Sequence, residues 1–189
     1  MTSVLSCLQA IYRLSREARG SVLVEFAMAV PVFVGLLTGG VEIARYALAV
    51  QKLDRVAASV ADLVARIDAV GQADLDDVFA AARLVAAPLD MAGRGRVIVS
   101  AIADTGAGDL VLWQRLDGGA LAAASGVGVH GGPASVPGAI PVATGESLIV
   151  AEVVYAWSPL IVPWLGGDRT LRQRAVHRPR LVRILELTP

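Results

Sequence analysis

The sequence predicts an α+β fold: a long N-terminal helix, membrane-spanning in its first half, packed on an antiparallel β-sheet, with a second short helix. Three observations predict it. Residues 21–41 form an apolar run that holds a single charge. Residues 43–67 carry apolar side chains at steps of three and four, the period of one helix face. Residues 96–115 and 147–157 are short, β-rich stretches bounded by turn-forming residues. The expected organisation is a cytoplasmic leader at 1–20, a long helix at 21–70 (transmembrane over about 21–45), and an extracytoplasmic α+β domain at 71–189 with a flexible loop at 116–146.

Of the 189 residues, 55% are apolar, and mean hydropathy is +0.61, high for a purely soluble domain. Acidic and basic residues balance at 17 each, so no global field steers the chain to nucleic acid or to an acidic partner. Aromatics are scarce, so the core is built from small side chains. Cys7 is the only cysteine, and it forms no internal disulfide. A lipoprotein reading of Cys7 fails, because Met1 to Ser6 are too few to make an apolar signal core.

Arg13, Arg16 and Arg19 precede the apolar run, and only Glu17 opposes them. The positive-inside rule then puts residues 1–20 in the cytoplasm and the chain beyond about residue 45 across the membrane. Ser21 to Val41 is about long enough to span a hydrocarbon core of roughly 30 Å. Its one charge, Glu25, is costly there, by about 2.5–3.5 kcal/mol at mid-bilayer and less near the end where it lies. A carboxylate so placed calls for a partner. A cleaved secretory signal is disfavoured: the run is long, holds an acid and flows into a patterned helix, although Ala47-Leu48-Ala49 mimics a cleavage site. A plain single-pass anchor explains length and orientation but not Glu25. A leader cut on the cytoplasmic side of the apolar segment explains all three. Leu5, Leu8, Ile11, Tyr12 and Leu14 give that leader the character of a short interfacial helix.

Pro31 removes one helix hydrogen bond and is expected to kink or loosen the span. Gly35, Gly39 and Gly40 add soft points and permit close helix packing. Beyond the span, Ile43, Ala47, Val50, Leu53, Ala57, Val60, Val64 and Ile67 make one apolar face, with Asp54 falling near it. Such a half-apolar helix needs a partner to cover that face. Gly71 is the expected C-cap. Asp74 is the expected N-cap of the second helix, whose apolar stripe is Leu75, Val78, Phe79, Ala82 and Val85, and Pro88 stops it.

Residues 96–103 and 110–115 read as a hairpin turning at Asp104-Thr105-Gly106-Ala107-Gly108-Asp109. The turn lacks the ligand density of a calcium loop. Residues 116–146 are dominated by Gly, Ala, Ser and Pro and read as a surface loop. Ser147 to Trp157 is the strongest strand, and Pro159 ends it. Residues 160–167 form an apolar connection with Trp164, and Thr170 to Ile184 form a last strand that Pro179 confines to an edge. Arg169, Arg172, Arg174, Arg178, Arg180 and Arg183 cluster in and beside it. With no aromatics for base stacking, the cluster reads as a charged edge before a nucleic-acid surface, with binding to anionic lipid head groups as the middle option.

No enzyme chemistry emerges. His130 and His177 lack metal-ligand spacing to cysteine or to a second histidine, and no nucleophile signature surrounds any serine. Glu146 and Glu152 read as solvated residues beside and within a strand. The expectation is a protein without catalytic residues, metal or cofactor.

Arg19-Gly20, four residues, then Glu25-Phe26-Ala27, then Pro31, resembles the start of the TadE-like minor pseudopilins of tight-adherence (Flp, type IVc) pilus systems. Glu42-Ile43-Ala44-Arg45-Tyr46 and the alanine-rich helix to Arg66 are similar to that family. So is Val153-Val154-Tyr155-Ala156-Trp157-Ser158-Pro159-Leu160. Residues 72–146 carry little of the likeness. The resemblance implies a pilin-like fold and a cut by a prepilin peptidase between Gly20 and Ser21. Glu25 and Phe26 are then the assembly and recognition residues, with the Glu25 carboxylate meeting the new α-amine of Ser21 on a neighbouring subunit. The implied partners are the prepilin peptidase, other pilins and pseudopilins, the inner-membrane assembly platform and the lipid bilayer, with no nucleic acid. The implied place is the bacterial inner membrane, single-pass, with the C-terminal domain periplasmic or carried into the pilus. The rival is a membrane-anchored periplasmic ligand-binding or sensor domain that keeps its leader.

Overall fold

The computed structural model describes residues 19–67, 70–106, 108–117, 119–161 and 167–179. The expected leader helix, the apolar connection around Trp164 and the arginines at 180 and 183 lie outside them. The chain divides into two compact units, Met1–Ile43 and Ala44–Pro189.

Helix α1 runs from Arg19 to Val64, 46 residues with Pro31 inside. It starts two residues before the expected boundary, so Gly20 is already helical. In the first unit its apolar side chains are exposed, from Val22 at 68% through Phe26 at 69% to Leu36 at 67%. This helix is long and apolar enough to cross a membrane. The Thr38 hydroxyl donates back to the carbonyls of Val34 (2.8 Å) and Gly35 (3.2 Å), so this polar group is satisfied within the helix, as hydrocarbon requires.

In the second unit the rest of α1 buries Ala49, Leu53, Val56, Ala57, Val60, Ala61 and Val64. From Leu53 onward this matches the expected stripe. Ile43 and Ala47 are exposed, Val50 is half-buried, Ala49 takes the buried place, and Asp54 faces solvent. Alanines occupy both faces, so the periodicity alone cannot fix which of them turn inward.

The end of α1 differs from expectation. The helix stops at Val64 and tightens, with Arg66 N–H donating to Leu63 O and Ile67 N–H to Val64 O (3.2 Å each). Gly71 is therefore not its C-cap. Gly71 is the N-cap of α2, Gln72–Ala86, with φ −93° and ψ 167°. Asp74 sits one turn inside, where its carboxylate accepts the Gly71 N–H at 2.9 Å and lies at the positive end of the helix dipole. Leu75, Val78, Phe79 and Ala82 are buried as expected, whereas Val85 is exposed and Ala86 is buried in its place. An additional one-turn helix, α3, spans Met91–Arg94 and is capped by Asp90, whose carboxylate accepts the Gly93 N–H at 2.9 Å.

Four antiparallel strands follow: β1 (Gly95–Asp104), β2 (Asp109–Leu116), β3 (Ser147–Trp157) and β4 (Arg169–His177). Their order is β2-β1-β3-β4. The hairpin, the strong central strand and the final edge strand are all present, and β4 ends before Pro179. The architecture is α+β.

One face of the sheet, with Val97, Val99, Ala101, Trp113, Ile149, Ala151, Val153 and Tyr155, packs on α1 and α2 in a single core. The other face is covered as well. There Ile102, Val111, Leu148 and Val150 cluster with Val127, Ala134, Val136 and Val142 from the chain between β2 and β3. Both faces of β3 are therefore buried, which is why it reads as a nearly continuous apolar run. The segment 116–146 has little regular structure, yet it forms a layer. Val111 N–H donates to Gly132 O (3.0 Å), Gly131 N–H to Val111 O (2.8 Å), and Gln114 Nε2 to Gly128 O (3.1 Å).

Candidate functional site

The residues singled out by sequence lie together at the start of α1. Gly20 and Ser21 are in its first turn, and Glu25 follows Ser21 by four residues, one turn along the same line of the helix. Glu25 and Phe26 are exposed, Phe26 at 69%. A Cβ built on Gly20 meets nothing within 4 Å, and the same holds at Gly35, Gly39 and Gly40. Packing within the chain does not demand glycine at any of them, although each costs roughly 1 kcal/mol against alanine in a helix. The chemistry available here is limited to a carboxylate, a peptide bond between two small residues and an apolar surface.

The second unit holds a polar centre that no local sequence pattern reveals. Glu152, expected to be solvated, is 0% exposed. It points to the loop-covered face of β3. Its Oε1 accepts from Arg172 Nη1 and Arg174 Nε, both at 2.9 Å, and from the Gly126 N–H at 3.1 Å. Its Oε2 accepts from the Ser125 hydroxyl and, at 3.1 Å, from the same N–H. Arg172 Nη2 reaches on to the Ala124 carbonyl at 2.8 Å. A buried carboxylate is tolerable only when its oxygens are so fully engaged. The consequence is architectural: one side chain on the central strand ties the edge strand β4 and the loop to the sheet. Gly126 suits this approach, since a Cβ there would fall 2.0 Å from Arg174 Nη2 and push the guanidinium aside. Arg172 and Arg174 thus have internal work instead of serving only as edge charges. Glu146 matches expectation better: it is exposed and pairs with Arg178 at 2.8 Å.

Two further ties act likewise. Asp117, nearly buried, accepts both Nε (3.2 Å) and Nη2 of Arg83, joining the last turn of α2 to the end of β2. The carboxylate raises the Arg83 guanidinium above its already high value. Asp104 accepts the Gly106 N–H (2.8 Å), the Gly108 N–H (3.3 Å) and the Thr144 hydroxyl (2.8 Å), so the hairpin turn grips the chain just before β3. The Gly106 N–H first, then the Thr144 hydroxyl, hold its carboxyl below the usual carboxylate range. No group of three or more metal-ligating side chains occurs among the described residues.

These three centres tie elements of the second unit together. The residues singled out by sequence lie on α1. The family model described as TadE-like protein matches residues 20–62. No curated protein and no solved structure matches the chain. The family match begins at Gly20 and covers α1 to within two residues of its end, leaving out the sheet. Over residues 20–62 the chain is thus similar to TadE-like proteins.

Proposed function

We propose that this chain is a TadE-like minor pseudopilin that helps to initiate or build a tight-adherence pilus. In this reading a prepilin peptidase cuts between Gly20 and Ser21, and the helix that follows stays in the inner membrane with the sheet domain on the periplasmic side. The protein acts by contact with other pilins, pseudopilins and the assembly platform, and it catalyses nothing.

The observation that carries the reading is α1 itself. One helix carries the Gly20–Ser21 junction and Glu25, continues as an exposed apolar surface, and then contributes one face to a folded core. A carboxylate on such a surface is penalised alone and favoured when it meets a cation in low dielectric. Cleavage supplies that cation, the α-amine of Ser21, at the same level of a neighbouring helix. Paired charges of this kind can fix register between helices. The glycines at 20, 35, 39 and 40, unneeded inside the chain, fit close approach by a peptidase and by other helices.

The test is Glu25→Ala in the native host, scored by pili per cell and by the level of the protein in the membrane. The expected outcome is normal membrane level with piliation lost or cut severely. Unchanged piliation contradicts the charge pairing.

A further inference from the structure

We propose that a basic, aromatic cleft in the Ala44–Pro189 unit binds the phosphate group of an anionic phospholipid. The proposal rests on the reading of α1 as a membrane anchor and is independent of any role in a pilus.

The cleft has a volume of about 380 Å³, and Arg45, Lys52, Arg94, Tyr155, Trp157 and Ser158 line it. Two cations, Lys52 and Arg94, are held there, and none of the described residues that line the cleft is a carboxylate. Lys52 Nζ donates to the Ala87 carbonyl, and Arg94 Nη2 donates to the Ser158 hydroxyl. Both acceptors are neutral, so these bonds hold the two side chains in place without cancelling their charge. The aromatic floor is fixed too: Arg94 lies 5.9 Å from the Tyr155 ring centroid, and Tyr46 meets Trp157 edge-on at 5.2 Å. Preorganised cations that need no rearrangement are what an anion rewards.

The source of the anion follows from what surrounds it. Leu48, also on the cleft wall, is 64% exposed, so apolar surface adjoins the cations. Arg45, Leu48 and Lys52 lie on α1 within about three turns of Val41, the end of the apolar run. This is the stretch of helix that leaves a bilayer, where basic and aromatic side chains meet lipid head groups. A soluble phosphate ester offers the same anion but nothing for Leu48.

The experiment uses the full chain in neutral detergent, with bound lipid counted by native mass spectrometry. The probes are phosphatidylglycerol, phosphatidylcholine and glycerol 3-phosphate. One phosphatidylglycerol is expected to be retained, with affinity falling about fivefold in Lys52→Gln and in Arg94→Gln, and about 25-fold in the pair. Arg55→Gln, on an exposed position of α1, is expected to bind as the unaltered protein does. Should the double variant fail to fold, the unaltered protein at about 0.5 M salt is expected to show the same weakening through screening. Equal retention of phosphatidylcholine, full binding by a folded double variant, or binding indifferent to salt overturns the proposal. Glycerol 3-phosphate bound as tightly as phosphatidylglycerol overturns the lipid assignment. The identity of the mature N-terminus does not bear on any of these results, so failure here and failure of the pseudopilin reading stay distinct.

Discussion

The two halves of α1 share a helix and differ in what covers their apolar side chains. Up to Ile43, valine, leucine and phenylalanine occur all round and stand exposed; from Ala44, apolar side chains narrow to one face and that face is buried at or near 0%. The same backbone geometry serves both because only the side-chain pattern changes. An all-round apolar helix is stable where its whole circumference meets hydrocarbon, and a striped one where a sheet covers the stripe. A charge has opposite meanings in the two halves. Arg55 in the second half is a solvated residue, whereas Glu25 in the first stands on an exposed apolar stretch, where hydrocarbon would make an ionised group costly.

The sharpest way to break this comparison is to make one cut in each half. Leu53→Ala opens a cavity beneath the sheet and is expected to cost about 3 kcal/mol of domain stability. Leu36→Ala, 67% exposed, is expected to change that stability by less than about 0.5 kcal/mol. Thermal or urea melts of the detergent-solubilised chain read both. Equal losses would mean that the first half also belongs to the folded core.

Next in size is Glu152→Gln. It keeps the shape but leaves Arg172 and Arg174 without their carboxylate, and it forces a donor against the Gly126 N–H. The arginine side chains are 29% and 37% exposed and can turn to water, so the expected loss is about 2 kcal/mol, below that of a fully buried pair. Hydrogen exchange is expected to quicken at residues 124–127 and along β4, and to stay unchanged in α1. Exchange that quickens uniformly would show that Glu152 is not a local tie.

The smallest effect is at Asp104. Its carboxyl is held below the ordinary range by the Gly106 N–H and the Thr144 hydroxyl. The stabilisation is therefore full above the unfolded value of about 4, and it is lost as pH falls through the lower folded value. Amide protection at Gly106 and Gly108, relative to the intrinsic exchange rate at each pH, is expected to hold at pH 5 and to fall only in strong acid. Asp104→Asn is expected to show the lower protection at both pH values.

How much of the molecule is legible in its sequence depends on the distance over which each feature is built. The Gly20–Ser21–Glu25–Phe26 spacing is local, so the linear order of residues suffices to find it. The same is true of β3, a β-branched run between Gly145 and Pro159. The Glu152 tie is not legible, because its donors come from Ser125, Gly126, Arg172 and Arg174, at least 20 residues away on a loop and an edge strand. The cap at Gly71 belongs to α2 and not to α1 for a related reason. Glycine favours helix ends over helix starts, so sequence alone points to the C-cap, and the Asp74 carboxylate on the Gly71 N–H decides for the start of α2. The lipid cleft, assembled from Lys52, Arg94 and Tyr155, likewise comes into being only when the sheet folds against α1.

The most direct test of the central claim, that α1 begins its working life as a free N-terminus at the membrane edge, is mass spectrometry of the mature N-terminus in the native host. A chain that begins at Ser21 is expected. A chain that begins at Met1 or Thr2 would contradict that claim in favour of a permanently anchored domain, and a start near Val50 would make the apolar half a discarded export signal.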